Sequence, residues 1–256
     1  MRKKPTTQKE PIRIAATSDI HGFMDGLRDE VFAVKPDFLV IAGDINPCYL
    51  HIDSHQWFDK EFIPFVEECG EVLDTSVVLV PGNHDFVLLD LLSHNTNGWC
   101  PEFPANLHLL RDTQETIRGV TFYGSPWVPW INGRWCWEAS DKTLEWAFSQ
   151  IPTGVDVLVS HSPPFIRHQF LDISLARPEA SWRHFGSDAL TKAIERSKPK
   201  MVFCGHIHTG QHGGVNIVCE DGTKIPCYNV SRVDEGYQVA HEITIIDYDL
   251  GETPQC

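Results

Sequence analysis

An α/β fold built from βαβ units is what this sequence predicts, and three observations predict it. Largely apolar stretches of four or five residues recur at 12–16, 38–42, 77–80, 155–159 and 201–204, interrupted only by Arg13 and Asp156, short enough for strands and apolar enough to be mostly buried. Segments of helical length separate the first three runs. Each run ends in a polar loop bearing Gly or Pro, and in open α/β sheets ligands sit at the carboxyl ends of the strands.

Taken in order, residues 1–10 read as a loose tail, and Ile12 to Ala16 forms a strand leading to Thr17-Ser18-Asp19-Ile20-His21-Gly22. Asp19 and His21 are two apart, so an extended segment points them to one side. A weak helical pattern over 25–34 precedes the strand Phe38 to Ala42, which runs into Gly43-Asp44-Ile45-Asn46-Pro47. Apolar residues at 57, 58, 62, 65 and 66 mark a helix face between Ser54 and Glu68, with Pro64 as a point of breakage or kinking. The strand Val77 to Val80 then stops at Pro81-Gly82-Asn83-His84-Asp85.

Residues 86–118 suggest a helix, an irregular stretch and a short strand near 107–110, followed by a strand from Val120 to Tyr123. Trp127, Trp130, Trp135 and Trp137 crowd into eleven residues without a clean period. Packing accounts for most of them, while a place on a substrate rim is open for at least one. Val155 to Val159 leads to Ser160-His161-Ser162-Pro163-Pro164, and a loop-like stretch over 165–186 follows. A helix from Asp188 to Arg196, the strand Met201 to Cys204 and the turn Gly205-His206-Ile207-His208 come next, with antiparallel strands over roughly 215–249.

The chain has 256 residues, 42% apolar and 22% charged, ordinary values for a soluble globular protein with a sizeable core. With no repeat, low-complexity tract or linker, one domain over 11–256 is expected. A net charge of −14 argues against general nucleic-acid binding. It leaves room for a small phosphate substrate, because bound cations invert a local field. Met1-Arg2-Lys3-Lys4 is followed by polar residues rather than the apolar core of a signal peptide, and no run approaches a membrane span. The eight cysteines, at 48, 69, 100, 136, 204, 219, 227 and 256, form no CxxC pair. They suit reduced thiols in the cytoplasm. A two-residue hairpin at Asp221-Gly222 would set Cys219 opposite Lys224, away from Cys227, so no bridge is expected there.

Five strands thus end in Asp19/His21, Asp44, Asn83/His84/Asp85, His161 and His206/His208. Packing alone does not explain polar groups at five equivalent positions, since each one buried needs a partner. As metal ligands they form a mixed nitrogen and oxygen set without thiolate, suited to Mn, Fe, Zn or Co rather than to a structural zinc. Seven ligands are too many for one tetrahedral site and suit two metals sharing a carboxylate, a known device for phosphate esters. His51 and His55, spaced i, i+4, lack a third ligand nearby and read as surface residues. His94, His108, His212 and His241 read as structural or exposed, while His168 and His184 follow the fourth motif closely enough to border a pocket.

The ordered set D-x-H, G-D, G-N-H-D, S-H-x-P-P and G-H-x-H, spanning 19–208, resembles the calcineurin-like metallophosphoesterase superfamily. The resemblance implies a four-layer α/β/β/α sandwich with its site at the carboxyl ends of the strands. It implies that Asp19, His21 and His208 hold one metal, that Asn83, His161 and His206 hold the other, and that Asp44 bridges, with Mn the favoured ion. A water or hydroxide between the metals would then be the nucleophile. His84 would be the general acid or transition-state stabiliser, with Asp85 as its orienting partner. Pro47 stands where purple acid phosphatases place a Tyr ligand, and Asn46-Pro47-Cys48 departs from the V-D-R of protein Ser/Thr phosphatases, so neither branch fits. The blocks at 160–164, 186–190 and 198–200 most resemble the metallophosphoesterase-domain-containing group, which is associated with phosphodiesters such as cyclic nucleotides. A dinuclear-metal phosphodiesterase acting on a small phosphoester is therefore expected. The alternatives are a phosphomonoesterase, a nucleotide pyrophosphatase, or a non-catalytic binding protein on the same fold. All seven ligand positions and His84 being filled weighs against the last.

Overall fold

The computed structural model describes residues 11–48, 53–96, 98–166, 173–176, 183–208 and 212–249, so the tail 1–10, His51 and His168 lie outside the described residues. In chain order the strands are β1 (Ile12–Thr17), β2 (Phe38–Ile41), β3 (Ser76–Leu79), β4 (Leu107–Leu109), β5 (Thr113–Ile117), β6 (Val120–Ser125), β7 (Val128–Pro129), β8 (Glu138–Ala139), β9 (Val157–Ser160), β10 (Leu175–Ala176), β11 (Arg183–His184), β12 (Met201–Cys204), β13 (Gly213–Val218), β14 (Lys224–Asn229) and β15 (Thr244–Tyr248). The helices are α1 (Leu27–Val34), α2 (Ser54–Trp57), α3 (Ile63–Leu73), α4 (Phe86–Leu92), α5 (Asp141–Ser149) and α6 (Asp188–Ser197), with a π turn over Phe58–Phe62 joining α2 to α3.

One sheet has the order β15-β1-β2-β3-β4, in which β1 to β4 run parallel and β15 pairs antiparallel with β1. The other has the order β13-β14-β12-β9-β6-β5, parallel in its centre and closed by antiparallel hairpins at both edges. Alternation along each strand sorts the core into layers. Leu39, Ile41, Val77 and Leu79 pack with Val31, Phe62 and Val66 of the helices outside the first sheet. Phe38, Val40, Val78 and Val80 face the other way and meet Phe122, Val159, Met201 and Phe203 between the sheets. Leu158 and Val202 pack outward against Leu144, Phe148, Leu190 and Ile194 of α5 and α6. The order helix, sheet, sheet, helix is the expected four-layer sandwich, and burial on both faces is why the central strands read as unbroken apolar runs.

Three local expectations change. Pro64 does not break its helix. The Ile63 N–H reaches Phe58 O, five residues back, and the donor that Pro64 lacks falls where π spacing returns to α spacing. The strand β5 is missing from the sequence reading because Thr113-Gln114-Glu115-Thr116 is polar. It is an edge strand, turned back by Arg118 and Gly119 at φ 50° and 87°, a pair of positive angles that hairpin turns favour. At the other edge Val218, not Cys219, stands opposite Lys224, and Cys227 faces Val215, so Cys219 and Cys227 remain free thiols. Among the described residues no helix is long and apolar enough to cross a membrane.

Candidate metal centre

The parallel strands β1, β2 and β3 of one sheet and β9 and β12 of the other end at the same edge of the sandwich, where the expected site residues come together. Four of them, Asp19, His21, Asp44 and His206, have positive φ (52°, 47°, 56° and 70°). Each such angle costs a residue other than Gly about 1–3 kcal/mol, so the surrounding structure must hold it. It does so with backbone bonds between loops: Asp19 N–H donates to Gly43 O at 2.9 Å, and His21 N–H donates to Asp44 O at 3.0 Å. The motif glycines allow the loops to approach. A side chain at Gly82 would strike Asp44, and one at Gly205 would strike Ser18 and Asp19.

Asp44 lies at the centre. Its Oδ2 is 3.3 Å from His161 Nε2, 3.8 Å from His21 Nε2 and 4.0 Å from His84 Nε2, while its Oδ1 accepts the His84 N–H at 2.7 Å. Asp19, fully buried, accepts from Ser231 Oγ at 2.8 Å and from the His206 N–H at 3.0 Å, with His208 Nε2 3.2 Å away. His21 Nε2 and His208 Nε2 face one another at 3.4 Å, and Asn83 Oδ1 is 3.0 Å from His161 Nε2. The His206 ring lies 5.1 Å from that of His161.

These residues fit a metal centre on the chemistry of their facing atoms. His161 Nδ1 is 2.8 Å from Ala42 O and His208 Nδ1 is 3.2 Å from Asp234 O, so in each ring the Nδ1 proton is given to a backbone carbonyl. In the neutral ring Nε2 is then left with the lone pair, as in histidines that bind metals. His161 Nε2 lies between Asn83 Oδ1 and Asp44 Oδ2, and His208 Nε2 between His21 Nε2 and Asp19 Oδ1, close sets of nitrogen and oxygen atoms that a shared proton or a shared cation holds together. Among the described residues no lysine or arginine pairs with Asp19 or Asp44. Asp19, His21 and His208 form one cluster with metal-binding spacing, and Asp19, Asp44 and His161 form another.

The electrostatics agree. Burial would raise the Asp19 and Asp44 carboxyls, yet the histidines hold both below the usual carboxylate range. Burial lowers His21 to about 4 and His206 to about 3, keeping both neutral. In His161 burial is outweighed by Asp44, which raises the imidazole to about 9.

Two expectations about the machinery are corrected or extended. Asp85 does not orient His84. Its carboxylate accepts four backbone N–H groups, from Gly82 at 2.7 Å, Asp44 and Ile45 at 2.9 Å and Asn46 at 3.0 Å. Burial and Asp44 push it up to about 7, against those donors. Asp85 therefore ties the Asp44 loop to the Asn83 loop. The resemblance implied a carboxylate paired with His84; here the carboxylate turns to the backbone of the Asp44 loop instead. Beside the His84 ring stand Trp135, at 4.3 Å between centroids, and His21, at 4.8 Å.

The other residue at the centre is Cys48, whose Sγ is 2.8 Å from His21 Nδ1 and 3.5 Å from His84 Nδ1. Burial and the nearby carboxylates push the thiol up to about 12. Sequence reasoning treated Cys48 only as one scattered thiol, although its place in the loop after Asp44 was a usable signal. Ser231 and Tyr237 were missed as well, and nothing local marks them.

Above the centre opens a cleft of about 670 Å³, lined by Asp44, Asn83, His84, His206 and His208 on its floor and by Trp130, Trp135, Phe185 and Tyr237 on its walls. Of the four clustered tryptophans, Trp130 and Trp135 reach the cleft. Trp127 hydrogen-bonds Asp112 at 2.7 Å, and Trp137 is buried. His184 also borders the cleft.

The sequence model of the family described as calcineurin-like phosphoesterase matches residues 12–210. The chain belongs to that family. Metallophosphoesterase domain-containing protein 1 of Homo sapiens and that of Mus musculus are each 28% identical to it over 253 residues, covering 92% of this chain and 70% of the relative. A UPF0046 protein of Caenorhabditis elegans is 26% identical and covers 95% of this chain and 84% of its own length. TT1561 of Thermus thermophilus shares the fold, with a TM-score of 0.57 at 12% identity over 93% of this chain and 99% of that one. Membership makes a metal-dependent phosphoester hydrolase the coarse functional class.

Proposed function

We propose that this chain is a dinuclear-metal phosphodiesterase acting on small phosphodiesters, cyclic nucleotides among them. The observation that carries the reading is the convergence of seven nitrogen- and oxygen-bearing side chains at and beneath the cleft floor, with facing atoms 3.0–3.4 Å apart. Asp19, His21 and His208 would hold one ion, Asn83, His161 and His206 the other, and Asp44 both, with Mn²⁺ the favoured metal. Such ions supply Lewis acidity and lower the pKa of bound water.

The chain's own residues do the rest. His84 stands at the cleft floor beside Asp44, outside the ligand set, where its ring can hydrogen-bond an oxygen of the ester as charge develops on it. Trp135 packs against that ring and keeps water from one side of it. Trp130 and Phe185 offer flat apolar surface to the organic part of the ester. Asp44 and Glu235 are the charged lining residues, and no lysine or arginine lines the cleft among the described residues. A monoanionic diester is cheaper to bring into such a cleft than a dianionic monoester. The free thiols of Cys48, Cys69 and Cys136 support a reducing compartment, and we place the protein in the cytoplasm.

The test is hydrolysis with Mn²⁺ of a panel holding p-nitrophenyl phosphate, bis-p-nitrophenyl phosphate and 2′,3′- and 3′,5′-cyclic nucleotides. A higher kcat/KM for the diester than for the monoester is expected. The reverse order would make the chain a phosphomonoesterase, and no turnover by Mn²⁺-loaded protein would make it a binding protein.

A further inference from the structure

The stretch matched by the family ends at residue 210, yet three parts of the site come from beyond it. Ser231 Oγ donates to Asp19 Oδ2 at 2.8 Å, Asp234 O accepts from His208 Nδ1 at 3.2 Å, and Tyr237 stands in the cleft wall. The Tyr237 ring lies edge-on to three histidines, with centroids 4.8 Å from His21, 5.4 Å from His208 and 6.4 Å from His84. Among the described residues no other aromatic side chain of the walls has ring contacts with all three.

Its mount is built, not incidental. Tyr237 has φ 56°, a left-handed angle that a bulky residue adopts only when held. The Tyr237 N–H donates to Asp234 O at 2.9 Å, and Asp234 Oδ1 accepts the N–H groups of Gly236 at 2.8 Å and Gln238 at 2.9 Å. The segment is anchored below by Arg232, 1% exposed, whose guanidinium meets both carboxylate oxygens of Glu30 at 2.8 and 3.0 Å. One turn therefore sets the tautomer of His208 and places a phenol over the floor.

Among the described residues no protein group hydrogen-bonds the Tyr237 hydroxyl. A half-buried phenol without an internal partner is a donor available to whatever fills the cleft. A neutral donor also suits a monoanionic ester better than it would neutralise a dianion. We propose that Tyr237 is a substrate-contacting residue: its ring walls the cleft above His21, His84 and His208, and its hydroxyl donates to a phosphoryl oxygen of the bound ester. The proposal rests on the phosphoester reading of the same site, and its test keeps the two apart.

Tyr237→Phe preserves the ring and removes only the hydroxyl. The measurement is calorimetric binding of inorganic phosphate to Mn²⁺-loaded wild type and variant, with metal content determined on both, followed by kcat/KM for bis-p-nitrophenyl phosphate. Loss of a hydrogen bond to a charged acceptor corresponds to roughly tenfold or more in affinity. Unchanged metal content, with about tenfold weaker phosphate binding and a similar fall in kcat/KM, is the expected result. Phosphate affinity within about twofold of wild type would overturn the proposal, and so would a wild type that binds no phosphate at all. Weaker phosphate binding by the variant, in a protein whose wild type turns over no ester, would uphold the contact and sink the enzymatic reading instead.

Discussion

At and beneath the floor of the cleft, Asp19, His21, Asp44 and His161 are almost wholly buried, sit at the ends of parallel strands, and have their polar atoms committed to one another and to backbone groups. On its rim, Trp130 is 64% exposed and Ile131 45%, both on a loop whose shape comes from one side chain. That side chain is Glu138, which accepts the N–H groups of Ile131, Asn132, Gly133 and Trp135. The floor is fixed by the sheets and by loop-to-loop bonds such as those of Asp85. The rim is fixed locally and is free to vary without disturbing the strands. On the proposed function the difference separates two kinds of information: the floor would carry how phosphorus is attacked, and the rim which ester is held.

Substitutions can break or sharpen that division. The largest effect is expected on the floor outside the ligand set. His84→Ala should keep its metal content and lose about 10²–10⁴-fold in kcat on cyclic nucleotides, where the leaving oxygen is a poor one. On p-nitrophenyl esters, whose leaving group needs little help, the loss should be much smaller. Equal losses on both would replace proton donation by electrostatic stabilisation, and lost metal would put His84 among the ligands.

A smaller effect is expected on the rim. Trp130→Ala removes flat apolar surface worth about 0.5–1.5 kcal/mol, so KM for cyclic nucleotides should rise about two- to tenfold while kcat and metal content stay unchanged. A fall in kcat with unaltered KM would mean that the rim takes part in chemistry, and the division would fail.

The same division explains what could be read in the chain. The strands were legible because burial on both faces leaves continuous apolar runs, and the proposed ligands because each follows such a run: Asp19 after β1, Asp44 after β2, Asn83 after β3, His161 after β9, and His206 and His208 after β12. The edge strand β5 was not, since half of a solvated edge looks like a loop. Asp85 was seen but given the wrong work, because its partners are backbone N–H groups that carry no sequence signature. Ser231 and Tyr237 were invisible for another reason. They reach the site from a turn some 200 residues away from Asp19 and His21, and only the fold brings them together.

The central claim is that the floor holds two cations through one shared carboxylate, and metal analysis of purified wild type and Asp44→Asn after Mn²⁺ loading tests it most directly. The account predicts about two ions per chain in the wild type and loss of both in the variant, because the shared carboxylate neutralises both. Full occupancy in Asp44→Asn, or a wild type that takes up none, would contradict it.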